Sequence, residues 1–433
     1  MSDYIVGIDL GSSKIAGMVV QKDKAGLLKI LAVESEPSVG VRRGLIVNAS
    51  EAAACVSRIV KKLQNRVKIE IGQVYVGLGG HTLKSVINKV PEFFAADTEL
   101  TEEVLKALSD KNQAIEIEQA QLYESLSQEF LLDGDTEPNP EGCTCSHVEA
   151  RYLLVLGKPG LDDRICSCLE RIPRKLAGLF TSPIVMSESL VTSHDKELGC
   201  AVIDFGAETT TLVVYADHYI RHMAVVPFGG KTVTQDIKDM QLTFVDAENF
   251  KKNFGCALVS LETQPKKITF KSPIHSNQDH EVQTRNLATY IEARMDEIMD
   301  MVCMEIDKSG YGDQLRAGVM ITGGASQLRG LPELINIKTG MTTRRASFDH
   351  LLSEPADAAL LNPAHALLLG LVNFGTENCQ ALTVDEDISP VAPPPTPQKD
   401  KSKKKINKFK VFLESKLFND RDFEENEHEL KNK

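Results

Sequence analysis

The chain has 433 residues, 42% hydrophobic and 25% charged, enough apolar content for more than one core. A formal net charge of -12 argues against a nucleic-acid-binding protein. No apolar run reaches the ~18 residues of a transmembrane helix, the first residues lack a signal-peptide layout, and the nine cysteines show no disulfide framework spacing, so a cytosolic chain with free thiols is expected.

The first predicted elements are two apolar strands joined by a turn, residues 5–20, with Asp9, Gly11, Ser12, Ser13 and Lys14 at the turn. Asp9 ends the first strand, where its carboxylate can hold Mg²⁺ directly or through water. The glycine and hydroxyl residues after it let turn N–H groups approach phosphate oxygens. A strand over 27–34, a loop with Gly40 and Gly44, a helix over 49–65 and a strand over 73–78 complete an α/β core. The helix carries Ala52, Val56, Ile59, Val60 and Leu63 on one face.

Residues 86–157 change character: an acidic stretch over 102–128 reads as helical, a Pro/Gly loop runs to Gly142, and a strand follows over 150–156. This is an inserted subdomain. Cys143, Cys145 and His147 precede Cys166 and Cys168, but the second pair falls in a helical segment, 161–176, which turns adjacent-but-one thiols apart and disfavours zinc. A helix near 187–193 leads to a second strand–turn–strand, residues 201–214, with Asp204, Gly206, Thr209 and Thr210 in the positions of the first turn. One such turn is ordinary hairpin chemistry. Two copies, one per half of the chain, point to a split site that clamps one nucleotide.

Further along come a helix over 246–254 bearing Glu248 and Lys251 and a long helix over 282–308 with Leu287, Ile291, Met295, Ile298 and Val302 in the core. An apolar strand ending in Gly323, Gly324 and Ala325 and a helix over 363–374 follow. Residues 380–405 hold Pro390, Pro393, Pro394, Pro395, Pro397 and a lysine run, a disordered tether. Beyond it Ile406, Phe409, Phe412, Leu413 and Leu417 share one face of a helix bordered by Lys404 and Lys408, which reads as a membrane-interface anchor; docking on its own domain is the alternative.

The two Asp turns, the 321–331 glycine segment, Arg43-Gly44, Val74 to Gly77, and the insertion residues Glu129-Phe130, Asp133-Gly134, Pro140, Gly142 and Glu149-Ala150-Arg151 together resemble the FtsA family of actin-like bacterial division proteins. That resemblance implies an α/β, two-lobed actin-like ATPase fold with a 1C insertion subdomain, a disordered linker and a C-terminal amphipathic helix. The implied division is 1–85, 158–195 and 357–378 for subdomain 1A, 86–157 for 1C, 196–235 and 301–356 for 2A, 236–300 for 2B, 380–405 for the linker, 406–420 for the membrane helix and 421–433 for an acidic tail. ATP with Mg²⁺ is the implied cofactor. Asp9 and Asp204 stand near the metal, Gly11, Ser12, Ser13, Lys14, Gly206, Thr209 and Thr210 around the phosphates, Glu248 and Lys251 toward ribose and adenine, and Gly323, Gly324 and Ala325 along the base.

The implied partners are the FtsZ C-terminal peptide, with Arg285 and Arg294 as its candidate contacts, further copies of the chain in a polymer, anionic lipid, and later division proteins through 1C. The implied place is the cytoplasmic side of the membrane at the septum. Two departures stand out. Ala207 and Glu208 occupy positions where the family commonly has glycine, and the acidic tail follows a helix that usually ends the chain. Glu208 is the candidate for a catalytic, water-positioning carboxylate, although slow or absent hydrolysis is the expectation. An actin-fold sugar-type kinase is the alternative, but the segment 187–193 offers only Glu188 as a base.

Overall fold

The computed structural model describes residues 3–115, 117–271, 279–355 and 360–381. They form two compact units, one from residues 3–84 and 160–380, the other from residues 85–159.

The first unit contains two five-strand arrays of the same topology. In one, the strand order is Lys175–Thr181, Gln73–Leu78, Asp3–Leu10, Lys14–Lys22, Leu28–Pro37; in the other it is Thr343–Arg345, Val319–Thr322, Cys200–Phe205, Thr210–Ala216, Tyr219–Val226. Each array pairs its first three strands parallel and its last three antiparallel, the third strand belonging to both runs. The repeated sequence signature therefore folds twice into one design. The register puts Asp9 opposite Ala16 and Asp204 opposite Thr211, so each carboxylate comes one residue before its strand ends.

Strand periodicity explains how helices cover the first array on both faces. A Cβ at Gly7 would stand 3.1 Å from Leu371 Cβ, on the helix Ala366–Phe374, whereas one at Gly17 would stand 2.9 Å from Ile59 and Leu63, on the helix Ala49–Val67. Glycine at both positions lets the helices approach the strands closely. The helix Ala49–Val67 starts at Asn48, whose side chain accepts the Ser50 and Glu51 N–H groups, and ends at Lys68 in the left-handed region. In the second array the helix Thr284–Ser309 buries Leu287, Ile291, Met295, Ile298 and Val302 against Ile203, Leu212 and Val214. That is the core role expected of its apolar stripe.

Three local readings are corrected. Residues 102–128 are not one helix: Glu102–Gln113 is helical and Gln121–Leu132 is a strand. Residues 161–176 divide into a helix, Leu161–Leu169, and the start of the strand Lys175–Thr181. The helix expected near 187–193 is Ser182–Glu188, with Pro183 in its first turn, and a second helix follows at Ser193–Leu198.

The second unit pairs Gln121–Leu132 with Thr144–Gly157 in antiparallel register and adds the strands Lys84–Glu99 and Asp135–Glu137. Val90, Leu100, Leu108, Phe130, Val148 and Tyr152 are among its core residues. Among the described residues no helix is long and apolar enough to cross a membrane. Residues 382–433, and with them Ile406, Phe409, Phe412, Leu413, Leu417 and the acidic tail, lie outside the described residues.

Candidate functional site

A cleft of about 1210 Å³ opens in the first unit, lined by residues of both arrays. Its base is the two Asp-headed turns. Gly11 and Gly206 play the same part in them: a Cβ would fall 2.6 Å from Lys14 O at Gly11 and 2.8 Å from Thr209 O at Gly206, so only glycine keeps each turn tight. Asp9, Asp204, Gly11, Ser12, Ser13, Lys14, Gly206 and Thr209 all line the cleft.

Burial pushes the Asp9 carboxyl up to about 6 while Lys14 pulls it down. Burial, reinforced by the charge of Asp9, pushes Asp204 up to about 7. Asp204 thus senses the charge of Asp9 in the cleft. Burial also lowers Lys14, with Asp9 opposing the shift. Mg²⁺ is commonly held by one or two carboxylates together with phosphate oxygens and water, so this pair suits it better than an all-protein cage. Among the described residues no group of three or more His, Cys, Asp or Glu side chains could hold a metal, and all nine cysteines are unpaired.

The glycine segment closes one wall. Gly323, at φ +89°, donates its N–H to Pro363 O at 3.2 Å, and Ser326 Oγ donates to Gly323 O at 2.7 Å. Gly324 and Ala325 line the cleft beside it. The facing wall is the helix Phe244–Phe254, started by Thr243, whose hydroxyl accepts the Asp246 N–H. On it Lys251 Nζ lies 2.7 Å from Glu248 Oε2 and donates to Gly230 O at 2.6 Å. Burial raises the Glu248 carboxyl, but Lys251, Thr234 and Lys252 outweigh it and hold it below the usual range. Burial draws Lys251 downward against the pull of Glu248.

Thr210 departs from the sequence reading. It is fully buried and its hydroxyl donates to Phe228 O at 2.9 Å, so it braces the turn from behind and does not face the cleft. Glu208 lines the cleft with both oxygens occupied: Oε2 accepts the Arg43 N–H and Oε1 the Lys231 ammonium, each at 2.6 Å. Burial raises its carboxyl, yet these donors bring it below the usual range, which suits a bridging anion better than a proton acceptor. Arg294 is tied by Nε to Asp236 Oδ2 at 2.5 Å and also pairs with Glu297, whereas Arg285 is exposed.

The sequence reading missed Gly230, Lys231, Lys252, Phe254 and Asn362, all of which line the cleft. A signal existed for two of them. Phe228-Gly229-Gly230-Lys231 is a glycine pair between a strand and a helix, and Gly230 approaches the glycine wall so closely that its Cβ would stand 2.9 Å from Ala325 Cβ.

A family model described as cell division protein FtsA matches residues 201–370. Cell division protein FtsA of Pseudomonas aeruginosa is 27% identical over 376 residues, covering 86% of this chain and 89% of that protein. FtsA of Escherichia coli K12 is 27% identical over 384 residues, covering 86% of this chain and 90% of that protein. Among solved structures, the PilM-PilN type IV pilus biogenesis complex aligns with a TM-score of 0.60 at 16% identity, over 86% of this chain and 98% of that chain, a likeness of fold alone. Over most of its length the chain is similar to the FtsA cell division proteins, with the family model matching residues 201–370 and the fold resembling that of the PilM-PilN complex.

Proposed function

We propose that this chain binds ATP with Mg²⁺ in the cleft and serves as an adaptor that polymerises on the cytoplasmic face of the membrane and holds FtsZ filaments there at the septum. The observation that carries the nucleotide reading is the pair of matched turns opening on one cleft, with the Asp204 carboxyl raised partly by the charge of Asp9. A divalent cation would relieve that repulsion, and phosphate oxygens would complete its shell. Ser12, Ser13, Lys14, Gly206 and Thr209 would surround the phosphates, Glu248 and Lys251 the ribose side, and Gly323, Gly324 and Ala325 the base. Thr210 is dropped from this set.

The nucleotide acts mainly as a structural ligand in this reading. In-line hydrolysis needs a group that orients water, and the candidate Glu208 already has both oxygens engaged. The subdomain division given above, contact of 1C with later division proteins, the FtsZ peptide on 2B and the membrane helix rest on the resemblance to FtsA and on the amphipathic pattern of residues 406–420. The test is co-pelleting of the full chain with FtsZ, ATP and anionic vesicles. Recruitment of FtsZ to vesicles only when the chain is present supports the adaptor, whereas no recruitment, with ATP consumption driven by a small hydroxyl compound, favours the kinase alternative.

A further inference from the structure

Two anion-seeking elements meet beside the phosphate turns. Arg43 and Gly44 both have positive φ, +49° and +72°, as a two-residue hairpin turn between Val41–Arg42 and Leu45–Ile46 requires, and this turn aims its two N–H groups at different phosphate turns. The Gly44 N–H donates to Ser12 Oγ at 2.9 Å, fixing this loop to the first phosphate turn. The Arg43 N–H donates to Glu208 on the second turn. From the other array Lys231 pairs with the same carboxylate, and the Lys231 N–H donates to Ala207 O at 2.7 Å. A continuous chain of contacts thus runs from Ser12 through Gly44, Arg43 and Glu208 to Lys231.

We propose that Glu208 is a built-in anion that bridges the two lobes at their phosphate turns, so that the cleft is held closed before any nucleotide arrives. The inference rests on the nucleotide reading only for what the bridge regulates; the bridge itself is read from the contacts. A carboxylate at 16% side-chain exposure between a backbone donor and an ammonium makes two charge-assisted hydrogen bonds, stronger than neutral ones. A glycine at this position would leave the Arg43 N–H and Lys231 without that anion, and closure would then fall to the terminal phosphate of a bound nucleotide. With Glu208 present, the closed form is independent of nucleotide state, and assembly that depends on closure proceeds with ADP or ATP alike.

The experiment is amide hydrogen exchange on the full chain, wild type and Glu208→Ala, with and without MgATP. Without nucleotide, the amides of residues 41–46 should exchange about tenfold or more faster in Glu208→Ala, the loss expected for a hydrogen bond to a charged group. The strand Asp3–Leu10 and the helix Thr284–Ser309 should be unchanged, which separates loss of the bridge from loss of the fold. MgATP should restore protection of 41–46 in the variant and add little in wild type. Glu208→Gln, which keeps an acceptor for Arg43 but loses the charge, should fall between the two. Exchange in Glu208→Ala within twofold of wild type, or strong slowing of 41–46 by MgATP in wild type, would overturn the bridge. If MgATP leaves residues 323–325 unaffected in both proteins, the nucleotide reading fails, and the comparison without nucleotide still decides the bridge.

Discussion

Gly323 lies against Asp204 with no room for a side chain between them: a Cβ would overlap Asp204 Oδ1 and fall 2.5 Å from Phe205 O, at a backbone φ of +89°. Gly323→Ala should therefore destabilise the fold by about 2–4 kcal/mol, from left-handed backbone strain and overpacking together. Gly324→Ala is the control, because its Cβ would meet only Ala364 at 3.7 Å. Urea unfolding should leave that variant within about 1 kcal/mol of wild type. Equal destabilisation in both would contradict this account of the wall.

Much of the site was legible because its chemistry is local. Asp9 to Lys14 and Asp204 to Thr209 are each one turn, and the glycine wall is one segment. What escaped is tertiary or masked by polar residues. Glu208 meets Arg43 across 165 positions of sequence, and no local pattern announces that contact. Thr210 reads as a phosphate ligand until the Phe228 carbonyl behind it is seen. The strand Gln121–Leu132 was hidden because buried Ser125 and Glu129 break its apolar alternation; they are satisfied by Asn112, whose Nδ2 donates to Ser125 Oγ at 2.8 Å, and by Arg151, which pairs with Glu129 at 3.2 Å. A bulge in this strand, where Gln128 and Glu129 together face Arg151 alone, disturbs the period further. Lys84–Glu99 was passed over because Pro91 interrupts it, and proline in a strand is confined to edges or bulges.

Acid should weaken the contact between the helix Ser193–Leu198 and the strand Thr343–Arg345. Burial works to raise the Asp195 carboxyl, but the Thr192 N–H and hydroxyl and the Arg344 guanidinium outweigh it and hold it below the usual range. A carboxyl depressed in the folded state contributes stability that is complete above its unfolded pKa and is lost as pH falls through the folded one. Unfolding measured from pH 7 down to about pH 3 should show a shallower acid limb in Asp195→Asn, with a loss of about 1–3 kcal/mol at neutral pH. An unchanged acid limb would remove Asp195 from the explanation.

Arg294 and Arg285 should part company as candidates for an acidic peptide. Arg294 is held by Asp236 and Glu297, while Arg285 is exposed. Arg294→Ala should lower stability by about 0.5–1 kcal/mol, the range for partly exposed pairs, with little change in peptide affinity. Arg285→Glu should weaken binding of the FtsZ C-terminal peptide about tenfold, from one lost and one repulsive charge contact. Fluorescence anisotropy with the labelled peptide reads both. The reverse pattern would reassign the contact to Arg294.

The amphipathic pattern of residues 406–420 predicts reversible attachment to anionic lipid. Each large apolar side chain buried contributes ~1.5–3 kcal/mol before ordering costs, and each lysine near the surface about 1 kcal/mol. Phe409→Glu with Leu413→Glu should move the chain from pelleted vesicles to the supernatant. Raised salt should weaken the wild-type interaction. Persistent binding of the double variant would place the membrane contact elsewhere.

The most direct test of the nucleotide cleft is calorimetric titration of MgATP into the full chain, beside Asp9→Ala and Asp204→Ala. The account predicts one ATP per chain for wild type and at least about tenfold weaker binding in each variant, equal to about 1.4 kcal/mol. It also predicts that omitting Mg²⁺ weakens wild type more than either variant, because one of the two carboxylates that would hold the ion is already absent from each variant. Wild-type affinity in both variants, or no heat of binding in wild type, would contradict it.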